Sequence, residues 1–323
     1  MEHYSVCQLI RDMRYEGFLL VRTSETRKDS KGNDYVDLNL ADRTGEINAK
    51  LWNWDSREKP PVPGDPIKIR GTIQEYNGRL QLRVEKWRNA TPEDPVNMNE
   101  LVPAAPRKPE EMMAEIREAA ASITAEPLRR LTEGMLEEAG EDLSWFPAAQ
   151  RMHHAERSGL LHHTTDMLRM AVRMTEVYPF LNRDLLTAGV IIHDLGKMQE
   201  LKSDRSGNVT DYTKEGQLLG HLVRGITTLN KVAERLGIHG EAVTLLEHML
   251  LSHHGESEYG SPKPPMFPEA EALHWLDMMD ARLNTMKTAE DKTPAGAFSE
   301  KIYSLERRVY HPTYEFDESN EEE

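Results

Sequence analysis

Apolar and polar positions alternate between residues 17 and 88 with the period of β-strands. From Tyr35 onward, Val36, Leu38 and Leu40 alternate with Asp37 and Asn39, and after the turn signal ADRTGE the residues Ile47, Ala49 and Leu51 alternate with Glu46, Asn48, Lys50 and Trp52. This predicts a hairpin with one apolar face. GFLLVRTSE supplies a strand before it, and PGDPIKIRGTIQEYNGRLQLRVEKW supplies two after it around Tyr76-Asn77-Gly78, where Asn-Gly is a strong hairpin signal. Five strands in so short a segment predict a small closed barrel. The same parity turns Tyr35, Lys50 and Trp52 outward, and on the last strand it sets Arg79 and Arg83 opposite Leu80, Leu82 and Val84.

Residues 89–109 hold five prolines and no sustained period, which predicts a linker over 91–109 after a first domain of 1–90. From Glu110 the period lengthens to three or four residues, as in EEMMAEIREAAASI, SGLLHHTTDMLRMAVRMTEVY, NRDLLTAGVIIHDLGK, EGQLLGHLVRGITTLNKVAERLG and EAEALHWLDMMDARLNTM. Amphipathic helices have this spacing. The expected architecture is a multidomain β plus all-α chain, with a helical bundle over 110–314 and no internal repeat. The tail 315–323 carries six acids, has little to bury, and reads as disordered and solvating.

Composition narrows the function classes. The 323 residues suit two domains. No run reaches the roughly 18 to 20 apolar residues of a spanning helix, and the start lacks a signal-peptide pattern. A cytoplasmic protein with no membrane partner is expected. The lone cysteine, Cys7, excludes an internal disulfide framework and a cysteine-based zinc cluster. Net charge is −15, yet residues 1–98 carry 16 basic and 16 acidic residues. The acidity therefore lies in the second domain, and the first is free to meet a polyanion.

The chemistry is concentrated in that second domain. His153-His154, His162-His163, His193-Asp194, His221, His248, His253-His254 and His274 contribute ten of the chain's thirteen histidines, with Asp277 and Asp280 nearby. A lone histidine on an apolar helix face is usually a satisfied core residue, but several at helix ends beside carboxylates suit divalent ions. His193-Asp194 closes the apolar run AGVIIHDLGK, where Gly196 relaxes the backbone, and His253-His254 closes another helix before Gly255. His221 lies between glycines in GQLLGHLVRG. These residues, with a bridging carboxylate, suit two ions placed to activate water and clamp a phosphodiester. A structural metal or a set of buried histidine hydrogen bonds is the simpler alternative.

The barrel length and the insertion NWDSREKPPVPGD between strands three and four resemble an OB-fold, whose strand 2 and 3 face often stacks single-stranded bases. GLLHHT, VIIHDLGK, GHL, LSHHGE and LDMMDA, in this order behind such a barrel, resemble the motifs of HD-domain metallophosphohydrolases and, in combination, the YhaM family of 3′-to-5′ exoribonucleases. The resemblance covers nearly the whole chain. It implies that His163 is the first ligand, His193 and Asp194 the signature pair with Asp194 bridging, His221, His253 and His254 the additional histidines, and Asp277 the last acid. It implies two divalent ions, Mn2+ foremost, with Co2+, Ni2+, Fe2+ or Mg2+ as substitutes. Asp280, one turn on, either orients a ligand or makes a surface contact. Where the family usually has an apolar or aromatic residue before its first histidine, this chain has His162, which leaves His162 and His163 to be distinguished.

Lys197 falls beside the metals, where it would either hold a substrate phosphate or pair with a nearby acid. The family also carries a pair like His153-His154, so phosphate or leaving-group contact is implied for His154. His248 lies five residues before His253 on the same helix and reads as structural. Together these readings describe an enzyme that binds single-stranded RNA, and ssDNA as a second substrate, through Tyr35, Lys50, Trp52, Arg79 and Arg83. Asp194, Lys197 and His154 would be the catalytic candidates. A small-nucleotide phosphohydrolase and an inactive nucleic-acid adaptor are the rivals, and Met-rich surfaces are compatible with a homo-oligomer.

Overall fold

The computed structural model describes residues 4–314 apart from 56, 77, 92, 97, 103 and 150–153. His153, Asn77 and the acidic tail, all singled out in the sequence, lie outside the described residues. Strands β1 (Arg14–Lys28), β2 (Asp34–Asp42), β3 (Gly45–Leu51), β4 (Pro66–Tyr76) and β5 (Arg79–Asn89) close into a barrel in the order β1-β2-β3-β5-β4. β3 and β5 pair in parallel, and the other pairs are antiparallel. The long β1 serves two partners: its first half pairs with β4 and its second with β2, with a register shift between Val21 and Thr23 that lets the strand bend around the barrel.

The expected parity is seen in the barrel core. Val36, Leu38, Leu40, Ile47, Ala49 and Leu51 are all buried there with Leu19, Val21, Ile67, Ile69, Ile73 and Leu82. Leu80 differs, standing exposed at the start of β5. GFLLV is continuously apolar because β1 is covered on both sides. Leu19 and Val21 fill the barrel, while Phe18 and Leu20 pack outside it against Leu101 and Val102. The proline-rich connection is therefore not a loose tether. It forms the short helix α1 (Met98–Leu101) on the barrel, and Ala105 N–H then donates to the Arg157 carbonyl in the helical part.

The second part is built from α2 (Pro109–Ala121), α3 (Glu126–Ala139), α4 (Gly159–Val177), α5 (Arg183–Ile192), α6 (Lys197–Glu200), α7 (Lys214–Leu236), α8 (Glu241–Ser252) and α9 (Pro268–Asp291). Helix α5 runs through its middle, packed by α3, α4, α8 and α9. Every residue from Leu185 to Ile192 is buried, as expected of a helix that is apolar all round. Each buried Leu, Ile or Val contributes roughly 1.5–3 kcal/mol. The bundle departs from an all-helical expectation in two places. A hairpin of β6 (Leu201–Ser203) and β7 (Val209–Tyr212) follows α6, and beyond Asp291 the chain folds back as a strap held by the bridges Phe298↔Tyr310 and Ile302↔Arg307. Both depend on non-local pairing, which helical periodicity does not register. Among the described residues no helix is long and apolar enough to cross a membrane.

Candidate metal centre and nucleic-acid face

Five segments bring imidazoles and carboxylates to one point. His163 lies on α4, His193 and Asp194 follow the last turn of α5, His221 lies on α7, His253 and His254 follow α8, and Asp277 and Asp280 share one face of α9. Two glycines make the convergence possible. Gly196 has helical φ of −60°, so its role is space rather than the backbone freedom expected from sequence: a Cβ there would meet the His221 carbonyl oxygen at 2.2 Å. Gly220 has φ 70° and ψ 170°, a break inside α7 immediately before His221, in a region that favours glycine.

The atoms sort into two groups around one carboxylate. His163 Nε2 lies 3.3 Å from His193 Nε2 and 3.3 Å from Asp277 Oδ1, and Asp194 Oδ2 is 3.7 Å from His163 Nε2 and 3.4 Å from His193 Nε2. On the other side, Asp194 Oδ1 is 3.6 Å from His221 Nε2 and 3.7 Å from His253 Nε2, while His221 Nε2 and His254 Nε2 are 3.2 Å apart. Asp194 thus directs one oxygen to each group. His163, His193 and Asp277 form one set that could hold a metal ion, and His221, His253 and His254 form another.

The outward ring nitrogens of His163, His193, His221 and His253 are engaged. His193 Nδ1 donates to the Val190 carbonyl and His253 Nδ1 to that of Leu250, while His163 Nδ1 meets Asp280 at 2.6 Å and His221 Nδ1 meets Glu200 at 2.9 Å. Such partners fix the tautomer, leave Nε2 as the ligating atom and raise its basicity. The buried Asp194 Oδ1 and His253 Nε2 have no hydrogen-bond partner, although buried polar atoms are ordinarily satisfied. The donor set therefore fits divalent cations.

Electrostatics favours an ionised Asp194 and a neutral His254, and sets His163 apart. Burial would raise the Asp194 carboxyl, but Lys197 and His193 outweigh it and hold the group well below the usual carboxylate range. Burial, reinforced by His253 and His221, brings His254 down to about 3, so its ring stays neutral. His163 is raised to about 10, because Asp277 and Asp280 overcome burial. A proton and a cation compete for its Nε2.

Other predicted residues take less expected positions. Lys197 Nζ forms a 2.6 Å ion pair with Asp194 Oδ2, the pairing weighed from sequence, yet it also lines a cavity of about 600 Å3 with His253, His254, Asp277 and Arg282. His154 lies behind Asp280, with Nε2 2.8 Å from Asp280 Oδ2 and Nδ1 3.1 Å from His162 Nδ1, so that it buttresses the carboxylate beside His163. Asp280 is buried and accepts from both rings. His162 turns away from the cluster toward Glu156 and Asp166, whereas His163 points into it. His248 Nε2 accepts from the Met266 N–H, a structural contact.

Sequence reasoning did not find Glu200, which meets His221, or Arg282 and the strap residues Ser304 and Leu305, which line the same cavity as His253 and His254. Arg282 alone left a signal, five residues after Asp277 on α9.

On the barrel, Tyr35, Lys50, Arg79 and Arg83 belong to the β2-β3-β5 sheet, and Trp52 follows the end of β3. Tyr35 and Trp52 stack with centroids 4.7 Å apart, and Trp52 is 44% exposed. Arg79 and Arg83 are exposed. The β2-β3 register sets Asp37 directly opposite Lys50, and the Lys50 ammonium lies 2.7 Å from Asp37 along the sheet. The groove of about 880 Å3 alongside is lined by Asn39, Asn48, Arg79 and Gln81 among others. There Gln81 donates to Asn48 at 2.6 Å, and Asn48 donates to Asp37 at 2.7 Å.

Fold and site define a class: an OB-type barrel joined to a helical domain whose histidine-rich centre is organised around one buried carboxylate. The family model of an OB-fold nucleic acid binding domain matches residues 20–90, and that of the HD domain matches residues 160–282. The chain is 43% identical to the 3′-5′ exoribonuclease YhaM of Listeria innocua over 304 residues, covering 93% of this chain and 96% of that one. It is 40% identical to the protein of the same name from Bacillus subtilis, covering 92% and 94%. Among solved structures the barrel is similar to the second OB-fold domain of replication protein A from Methanococcus maripaludis, at 19% identity over 29% of this chain and 98% of that one, with a TM-score of 0.23. The chain belongs to the YhaM family of 3′-5′ exoribonucleases.

Proposed function

We propose that this chain is a divalent-metal-dependent exonuclease that shortens single-stranded RNA from its 3′ end in the cytoplasm, releasing nucleoside 5′-monophosphates. The observation that carries the reading is the division of Asp194 between two imidazole groups, with Oδ1 toward His221 and His253 and Oδ2 toward His163 and His193. His163, His193, Asp194 and Asp277 would hold one ion, and Asp194, His221, His253 and His254 the other. When bound, such ions supply Lewis-acid charge at the phosphoryl oxygens and lower the pKa of water. Imidazole with carboxylate suits Mn2+, Fe2+, Co2+, Ni2+ or Zn2+, and family membership favours Mn2+.

The chain's own groups do the positioning. Trp52 and Tyr35 supply aromatic faces for bases, while Arg79 and Arg83 meet phosphates. The amides of Asn48 and Gln81 reach base edges. The cavity beside Lys197 falls within the ~300–1,000 Å3 typical of small-molecule sites and takes the terminal nucleotide. There Lys197 and Arg282 face the scissile phosphate. Water attacks phosphorus, the bond to the 3′ oxygen of the preceding nucleotide breaks, and that oxygen takes a proton from solvent or an adjacent imidazole.

The test is digestion of a 5′-labelled single-stranded RNA by metal-stripped protein, with and without Mn2+. A metal-dependent ladder descending one nucleotide at a time is expected. Absence of shortening with every metal tried would overturn the reading, and hydrolysis of mononucleotides alone would replace it with a small-nucleotide phosphohydrolase.

A further inference from the structure

Beside the Asp194 cluster lies a second convergence that the proposed reaction does not use. His154 Nδ1, His162 Nδ1 and Glu156 Oε1 approach one another at 3.1 Å between the rings, 2.9 Å from His162 to Glu156, and 3.7 Å from His154 to Glu156. Donors bound to zinc at about 2.0–2.2 Å in tetrahedral geometry lie about 3.3 Å apart, so the three atoms outline one face of such a polyhedron. All three can offer one ligand atom to a single ion.

The far sides of the rings are prepared in the same way as at the Asp194 cluster. His154 Nε2 is 2.8 Å from Asp280, and His162 Nε2 is 3.2 Å from Asp166. A carboxylate behind each imidazole places the proton on Nε2 and directs the Nδ1 lone pair inward, the arrangement that supports metal-bound histidine. Asn284 Nδ2, which donates toward His154 Nδ1 at 3.4 Å, agrees with that tautomer. His154 is buried, whereas the His162 and Glu156 side chains are 13% and 22% exposed, so the fourth direction is open to water.

We infer that His154, Glu156 and His162 form a third, separate site for a divalent transition metal of the zinc type. It touches the reaction centre through one carboxylate: Asp280 Oδ2 accepts from His154 and from His163. An ion there anchors His154 and, through Asp280, holds the His163 ring in its ligating orientation.

The experiment counts ions. Full-length protein, stripped and then equilibrated with Zn2+ and dialysed, is analysed for zinc per chain alongside His162→Gln, Glu156→Gln and Asp194→Asn. His162→Gln and Glu156→Gln are each expected to carry one ion fewer than the parent, with unchanged circular dichroism. Asp194→Asn is expected to keep the ion that those substitutions remove, so failure of the Asp194 centre is read separately. Counts for both His162→Gln and Glu156→Gln equal to the parent's would overturn the proposal and leave a shared proton as the occupant. If His162→Gln does not fold, Glu156→Gln decides alone.

Discussion

The barrel and the bundle solve the placement of polar groups in opposite ways. The barrel keeps its interior apolar and displays its chemistry on the outside, where Lys50, Asp37, Asn48 and Gln81 form one lateral network and Trp52 and the arginines stand clear. The bundle carries seven ligating candidates into its centre, with His163, His193 and His253 fully buried. Burying so many polar groups is costly unless each is partnered, and the chain supplies a partner to each outward nitrogen of His163, His193, His221 and His253. Among the described atoms of that cluster, Asp194 Oδ1 and His253 Nε2 have no hydrogen-bond partner, and they lie 3.7 Å apart. An open face suits a long, variable strand, whereas a preorganised interior suits one bond of fixed geometry.

The sharpest way to break this contrast is at Asp194. Asp194→Ala removes the carboxylate that faces both groups and should lower single-turnover RNA cleavage on the order of a thousandfold or more, the equivalent of several kcal/mol of transition-state stabilisation. RNA affinity, read by anisotropy, should change less than twofold; a comparable loss of affinity would show that the two regions bind as one.

Leu38→Ala strikes the other interior. A fully buried barrel leucine should cost about 2–5 kcal/mol, seen as an earlier unfolding step in calorimetry. The zinc or manganese content should stay at the parent value if the bundle stands without the barrel.

At the barrel surface, Trp52→Ala should weaken single-stranded RNA binding by about 1–3 kcal/mol, roughly 5- to 150-fold. Cleavage of a dinucleotide, which needs only the cavity, should be nearly unaffected. Binding as tight as the parent's would remove the aromatic pair from the interface.

The smallest expected effects lie at opposite ends of the pH scale. Burial, with Asp42 adding to it, raises the Tyr15 phenol above its ordinary value. Its contribution to barrel stability is therefore complete below about pH 10 and is lost as pH rises beyond that. In the bundle, burial would raise Asp184, but hydrogen bonds from Thr124 and Ala125 outweigh it and hold the carboxyl below its ordinary value. That contribution is present above about pH 4 and is lost as pH falls toward the lowered value. Thermal unfolding across pH should show Tyr15→Phe flattening the alkaline limb and Asp184→Asn the acid limb.

Much of this was legible in the chain itself. Strand parity identified the barrel core from Val36 to Leu51, because side-chain direction on a strand alternates with every residue whatever the partner. The clustered histidine segments were legible for a similar reason: His193-Asp194 and His253-His254 close apolar helices, and adjacency in sequence guarantees adjacency in space. The paired use of Asp194, the pairing of Lys50 with Asp37, the position of His154 behind Asp280, and the entry of Glu200, Arg282 and the strap into the site were not. These contacts join residues as far as 13 to 126 positions apart, and no periodicity along a chain encodes which oxygen of a buried carboxylate faces which helix. Local pattern determined the elements and the chemical types they carry, whereas only their packing decided which groups neutralise one another and which remain to act.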